Sequence, residues 1–228
     1  MLPLRDVPAL LTHLEHVDIG MIRDLKSGEK LTAQQLAERL AQAPRVLVGE
    51  QHNNPDHHAL ELWIMQVLVD RRPQGSLFLE MLNPSQQSNV EKVKAAYTLT
   101  DPADIPAALG WQEDWDWALY GPVVRYALGQ PYPLLSANLA GDEIAANRRM
   151  AQQLLAAPAP ALLFAGAHHV RKDVGVPLHL LDLDAQDTTV VLMLAEVGTH
   201  VTSVTADYVW YTAASRKDHG FHWRNQSP

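Results

Sequence analysis

The sequence predicts an α/β fold: a largely parallel central sheet flanked by helices, with a Trp-rich helical lobe. Three observations point to it. Short apolar runs alternate with longer stretches of helical periodicity, the rhythm of strand–helix–strand units. Two of the runs, Leu77-Phe-Leu and Leu162-Leu-Phe-Ala, are almost wholly apolar, as strands covered on both faces must be. Hydrophobic residues make up 47% of the chain and charged residues 19%, which is enough apolar surface for a sizeable core.

Taken in order, strands are expected at residues 45–49, 76–81, 132–137, 161–166, 188–195 and 208–212. Helices are expected at 32–43, 55–70, 84–97, 117–128 and 143–156. In the second helix Leu60, Ile64, Val67 and Leu68 keep helical spacing and form an apolar stripe. Its start is signalled by Asn54-Pro55-Asp56: a capping amide, a proline at the first helical position and an acid at the positive dipole end. Asn83-Pro84 repeats the device. Residues 98–117, ending in Trp111, Trp115 and Trp117, are less regular and predict a lobe over one end of the sheet. No linker divides the chain, so residues 1–228 read as one domain with a core at about 19–213 and a polar tail over 215–228.

Composition excludes several functions. With 18 Lys and Arg against 26 Asp and Glu the net charge is -8, which disfavours nucleic acid and anionic lipid as partners. The absence of cysteine rules out disulfides, thiolate metal sites and Cys nucleophiles. No run approaches the roughly 20 apolar residues of a membrane helix, and Met1-Leu-Pro-Leu-Arg-Asp has no signal-peptide core. From these features the protein is expected to be cytosolic, or else exported by a segment removed ahead of this sequence.

The 11 histidines cluster. Strand-then-Gly-x-x-His occurs twice, as Val46-Leu-Val-Gly-Glu-Gln-His52 and Leu163-Phe-Ala-Gly-Ala-His-His169. Parallel strands would bring both histidines to one carboxyl edge, where open α/β sheets bind ligands. Glu50 and His52 alternate onto one side of an extended segment, and Glu80 closes the apolar strand at 77–79. A carboxylate is too costly to bury there without a partner. Glu50 and His52 so placed can ligate a divalent ion or act as acid and base, with Glu80 at the strand's mouth and His169 on the facing side. His57 and His58 fall in a helix's first turn, where each is open to a ligand contact or, for His58, to simple solvation; His13, His16, His219 and His222 read as surface residues.

These motifs resemble the ChaN-like family of haem-binding, iron-regulated lipoproteins, within the superfamily of Tiki-type peptidases and erythromycin esterase-like enzymes. The resemblance runs through Val46 to His58, Phe78-Leu-Glu-Met81 with Gln86-Gln87, Trp117 with Tyr120 and Pro122, Ala137-Asn-Leu139, Gly166 to Pro177, and Asp207-Tyr208-Val-Trp210. The chain departs from the pattern at His168, where a small residue is usual, and at Ala140-Gly141, where Pro-Arg is usual. It also lacks the lipidated cysteine expected of mature members.

The resemblance implies a protein of haem and iron uptake, periplasmic or outer-membrane-associated, that hands haem to or from an outer-membrane receptor. It further implies haem held at a homodimer interface, two porphyrins face to face, with a tyrosine on the iron. Tyr120 and Tyr208 are the candidate ligands, with Tyr211 also near Trp210. Arg125 and Arg171, with Arg148, are candidate partners for the propionates. The alternative is a metal-dependent peptidase or esterase in which Glu50, His52 and His169 hold a divalent ion and Glu80 acts as base or further ligand.

Overall fold

The computed structural model describes residues 5–9, 16–138, 141–183 and 189–215. The expectations on Leu139, Ala140, Thr188, His13, His219, His222 and the tail lie outside these residues. Chain order begins with β1 (Ile22–Asp24), β2 (Lys30–Leu31), α1 (Ala33–Ala41), β3 (Arg45–Glu50), α2 (Pro55–Val69) and β4 (Ser76–Leu79). It continues through α3 (Gln87–Ala95), α4 (Ile105–Leu109), α5 (Trp117–Leu128), β5 (Leu134–Ser136), α6 (Glu143–Ala156) and β6 (Ala161–Gly166). It ends with α7 (Ala167–Val170), α8 (Val176–Asp182), β7 (Thr189–Glu196) and β8 (Tyr208–Thr212).

One eight-stranded sheet runs in the order β2-β1-β8-β7-β3-β6-β4-β5. From β8 to β5 every pairing is parallel, whereas β1 runs antiparallel to both β8 and β2. Side chains alternate between the two faces, so Val46, Val48, Leu162 and Phe164 pack under α2 and α5. Leu47, Leu163, Ala165 and Met193 pack under α6 and α8. The near-continuous apolar runs seen in the sequence are these doubly covered strands.

Capping chemistry sets the helix starts as expected. Asn54 accepts from the Asp56 N–H ahead of α2, and Asn83 closes a capping box with Gln86. Around α2, however, burial is broader than one stripe, because Trp63, Met65, His57, His58 and Glu61 are buried as well. β5 is shorter than expected because it follows Pro131 and Pro133, which have no N–H for a ladder. The β1–β2 hairpin and the short helices α4, α7 and α8 were not anticipated. None is long enough to display a period. Among the described residues no helix is long and apolar enough to cross a membrane.

The topology also creates a crevice. From β3 the chain crosses through α2 to β4 on one side, whereas from the neighbouring β6 it crosses through α8 to β7 on the other. The helices leave by opposite faces, so the carboxyl ends of β3 and β6 are left uncovered between them.

Candidate functional site at the strand ends

Both Gly-x-x-His segments open onto this crevice. In register, Glu50 lies opposite Gly166, so the end of one motif faces the start of the other. Gly49 is required by packing: a Cβ there would come within 2.4 Å of Val170 Cγ2 and 2.8 Å of Met193 Sδ. Gly166 does something different. A Cβ there would fill the space in front of the His52 ring, 3.0 Å from Nε2 and 3.5 Å from Glu80 Oε2.

Glu50 is 1% exposed at the end of β3. Its Oε1 accepts from His52 Nδ1–H at 2.5 Å and from the Tyr120 hydroxyl at 3.1 Å. Its Oε2 is buried with no hydrogen-bond partner. The carboxylate fixes the imidazole tautomer and leaves Nε2 toward the Gly166 cradle. Burial works against a charge on His52, but the Glu50 hydrogen bond and the charges of Glu50 and Glu80 outweigh it and raise its pKa. The edge of Trp115 packs on the ring, 4.9 Å between centroids.

Across the cradle stands a second pair. Glu80 accepts from the Gly166 N–H at 2.6 Å through Oε2, and its Oε1 lies 3.4 Å from His169 Nε2. Burial opposes ionisation of Glu80, yet the His169 and Gly166 contacts hold its pKa below the usual carboxylate value. His169 Nδ1–H donates to Asn147 Oδ1 at 2.7 Å. His168 points away, to an exposed pair with Glu143.

Beneath the crevice two further histidines are fixed. His58 is 3% exposed, not solvated; its Nδ1 faces Glu61 Oε2 and its Nε2 faces the His52 carbonyl, each at 3.0 Å. Two acceptors require two N–H donors, so the geometry calls for an imidazolium against a carboxylate. Burial disfavours that charge, but Glu61 raises the His58 pKa to about 9. His57 is buried, and burial, with the neighbouring His58 charge, lowers its pKa to about 3. It accepts the Gln51 N–H at 2.8 Å and donates to Thr212 Oγ1 at 2.9 Å, tying the loop after β3 to the end of β8.

The structure therefore brings Glu50, His52, Glu80 and His169 together, but as two hydrogen-bonded pairs. Among the described residues no group of three or more such side chains is arranged to hold a metal ion. The ion expected on Glu50, His52 and His169 is not supported by this arrangement. Tyr120 does reach the site, in contact with Trp111 and Trp115, but it is 1% exposed. Burial, and the Glu50 and Glu61 charges, push its phenol far above the usual value. A phenolate on iron is thus the form this position disfavours.

The other expected cofactor residues lie elsewhere. Tyr208 enters β8 beneath the Arg39 guanidinium, 5.9 Å from its ring centroid. Arg125 lies over the Trp117 ring at 5.8 Å. Arg171 is forked onto Asp173 at 2.9 and 2.6 Å, so a carboxylate already neutralises it. Sequence reasoning missed Asn147, Glu61 and Trp115 as parts of the site. Glu61 was within reach, three residues after His58 on one helix face, whereas nothing in the sequence couples Asn147 to His169.

Fold and site define the class first: a doubly wound α/β protein with paired histidines and carboxylates at its topological switch point. Residues 36–146 match the model of the family described as haem-binding uptake, Tiki superfamily, ChaN. A solved structure of ChaN of Campylobacter jejuni, described as binding haem cofacially, is similar over 85% of this chain and 97% of its own, with a TM-score of 0.76 at 21% identity. The type III effector HopBA1 is similar over 78% of this chain and 92% of its own, with a TM-score of 0.50 at 11% identity. No curated protein matches the sequence.

Proposed function

We propose that the chain binds haem and serves haem or iron uptake, holding the cofactor rather than transforming it. The observation that carries this reading is the family match over residues 36–146, a stretch containing the Trp-rich lobe and the first strand-end motif. Two copies enclosing haem between them, with a tyrosine on ferric iron, is the arrangement we put to test, since phenolate is an accepted ligand of ferric haem. Titration of the purified chain with hemin is expected to give a Soret band distinct from free hemin, at a stoichiometry near one per chain. Size-exclusion chromatography is expected to show a shift from monomer to dimer on loading. A spectrum equal to the sum of protein and free hemin would sink the reading.

A second reading is favoured by the cradle at Gly166. An imidazole backed by a buried carboxylate, facing a second carboxylate–imidazole pair, is suited to general acid–base hydrolysis of an ester or amide. His52 Nε2 would take the proton of the attacking water and His169 would protonate the leaving group. Turnover of p-nitrophenyl esters that disappears in His52→Ala supports this activity; equal background rates in both proteins remove it.

A further inference from the structure

We propose that the groove between β1, the end of β8 and the segment 198–201 is a second binding site, for a small zwitterion: a free amino acid or short peptide with an apolar side chain. The assignment is independent of both readings above.

β1 pairs antiparallel with β8, Ile22 opposite Trp210 and Arg23 opposite Val209. Ile22 and Trp210 belong to the core on the α2 side, where Trp210 meets Trp63. Alternation therefore sends Met21, Arg23 and Leu25 to the other face. There, with Tyr211 and Val201, they line a groove of about 490 Å³. That volume falls within the roughly 300–1,000 Å³ of small-molecule sites. In the sheet β7 stands between β8 and β3, so the groove is separate from the strand-end crevice.

Charge decides what it fits. Arg5, Arg39, Arg148 and Arg171 each pair with a carboxylate. Arg23 does not. Among the described residues its guanidinium makes one hydrogen bond, from Nε to the Met21 thioether at 3.2 Å, and a thioether is a weak acceptor. The fork that would grip a carboxylate is left open. Asp18 is the converse. Among the described residues its carboxylate accepts no hydrogen bond and lies 3.8 Å from His16 Nδ1, a nitrogen that already accepts the Asp18 N–H at 3.2 Å.

Arg23 and Asp18 line the same groove, yet no ion pair joins them. The groove's other carboxylate is spent: Asp24 accepts from the Lys26 and Ser27 N–H groups at 2.9 and 3.0 Å and pairs with Arg39. Counted with neutral imidazoles for His16 and His200, which also line the groove, the open charges are one of each sign. A simple anion would face Asp18 and a simple amine would face Arg23, whereas a ligand carrying both charges satisfies the two together. Met21, Leu25 and Val201 offer its side chain apolar surface. The Tyr211 hydroxyl donates to Thr199 O at 3.3 Å and keeps its lone pairs for an ammonium.

The test is calorimetric titration of the purified chain with leucine and with leucyl-leucine. Two analogues of the dipeptide accompany them: the C-terminal amide, which lacks the carboxylate, and the N-acetyl form, which lacks the ammonium. Wild type should bind leucine or leucyl-leucine saturably, the tighter of the two showing whether amino acid or peptide is the source. Loss of a charge-assisted hydrogen bond should weaken each analogue about tenfold or more. Arg23→Gln should bind leucyl-leucine as weakly as wild type binds the amide, with no further loss on changing to the amide. Asp18→Asn should behave in the same way toward the N-acetyl form. The analogue comparison uses unaltered protein, so it holds whether or not the variants fold. If neither zwitterion binds at millimolar concentration, if the analogues bind as tightly as leucyl-leucine, or if folded Arg23→Gln keeps wild-type affinity, the assignment is wrong.

Discussion

The two Gly-x-x-His segments share a spacing but are built differently. In the first, the glycine is locked: Gly49 is pressed between Val170, Met193 and the backbone of Ala167. Its histidine is held from behind by a buried carboxylate and from the side by Trp115. In the second, the glycine is open and provides the space that the first histidine faces. Its own histidine is held by the neutral Asn147, with Glu80 at a looser 3.4 Å. The same Gly-x-x-His spacing thus serves as a rigid post in one strand and as a socket in the next. Only the neighbouring elements decide which.

Removing the difference between the glycines should produce the largest effect. Gly49→Ala places a methyl group against a β-branched side chain and backbone, which cannot both yield, and overpacking of this kind costs roughly 3 kcal/mol. Gly166→Ala meets only the ring of His52 and the carboxylate of Glu80, so its stability cost should stay under about 1 kcal/mol. Urea denaturation of the two variants measures the contrast. Equal losses would mean that the two segments are equivalent after all.

Acid should loosen the first segment next. His57, which anchors the loop after β3, has its folded pKa depressed to about 3, below the value near 6.5 of an unfolded chain. Its contribution is therefore complete above pH 6.5 and is lost as pH falls, because only the unfolded state takes up the proton. By pH 5 the loss should reach about 2 kcal/mol, at about 1.4 kcal/mol per unit. His57→Gln should flatten that part of the stability profile measured between pH 7 and pH 5. An unchanged acid slope in the variant would show that His57 is not the group responsible.

Much of this arrangement was legible in the sequence. The strands at 161–166 and 208–212 and the helices at 117–128 and 143–156 agree with their expected bounds, because capping residues, prolines and apolar runs are local signals. The convergence of Glu50, His52, Glu80 and His169 followed from parallel strands sharing an edge. What local signals could not give was each group's partner. Tyr120 looks in sequence like an available aromatic ligand, yet it is the hydroxyl beneath Glu50. Whether His58 is solvated or enclosed is open until the width of the buried surface on α2 is known.

The smallest effect should come from the support of the second histidine. Asn147 is 1% exposed on α6 and is the acceptor for His169 Nδ1–H. Asn147→Ala removes that acceptor and leaves a polar N–H to seek water, a change of about 1 kcal/mol in unfolding free energy. With the Asn147 bond gone, the His169 ring retains only its 3.4 Å approach to Glu80 and should reorient in solution. His52, fixed by Glu50 and Trp115, should keep its orientation. Imidazole resonances in a two-dimensional NMR spectrum distinguish the cases: a shift confined to His169 indicates two independent pairs. Equal movement of the His52 resonances would indicate one network running through Glu80, and the post-and-socket distinction would fail at its weakest joint.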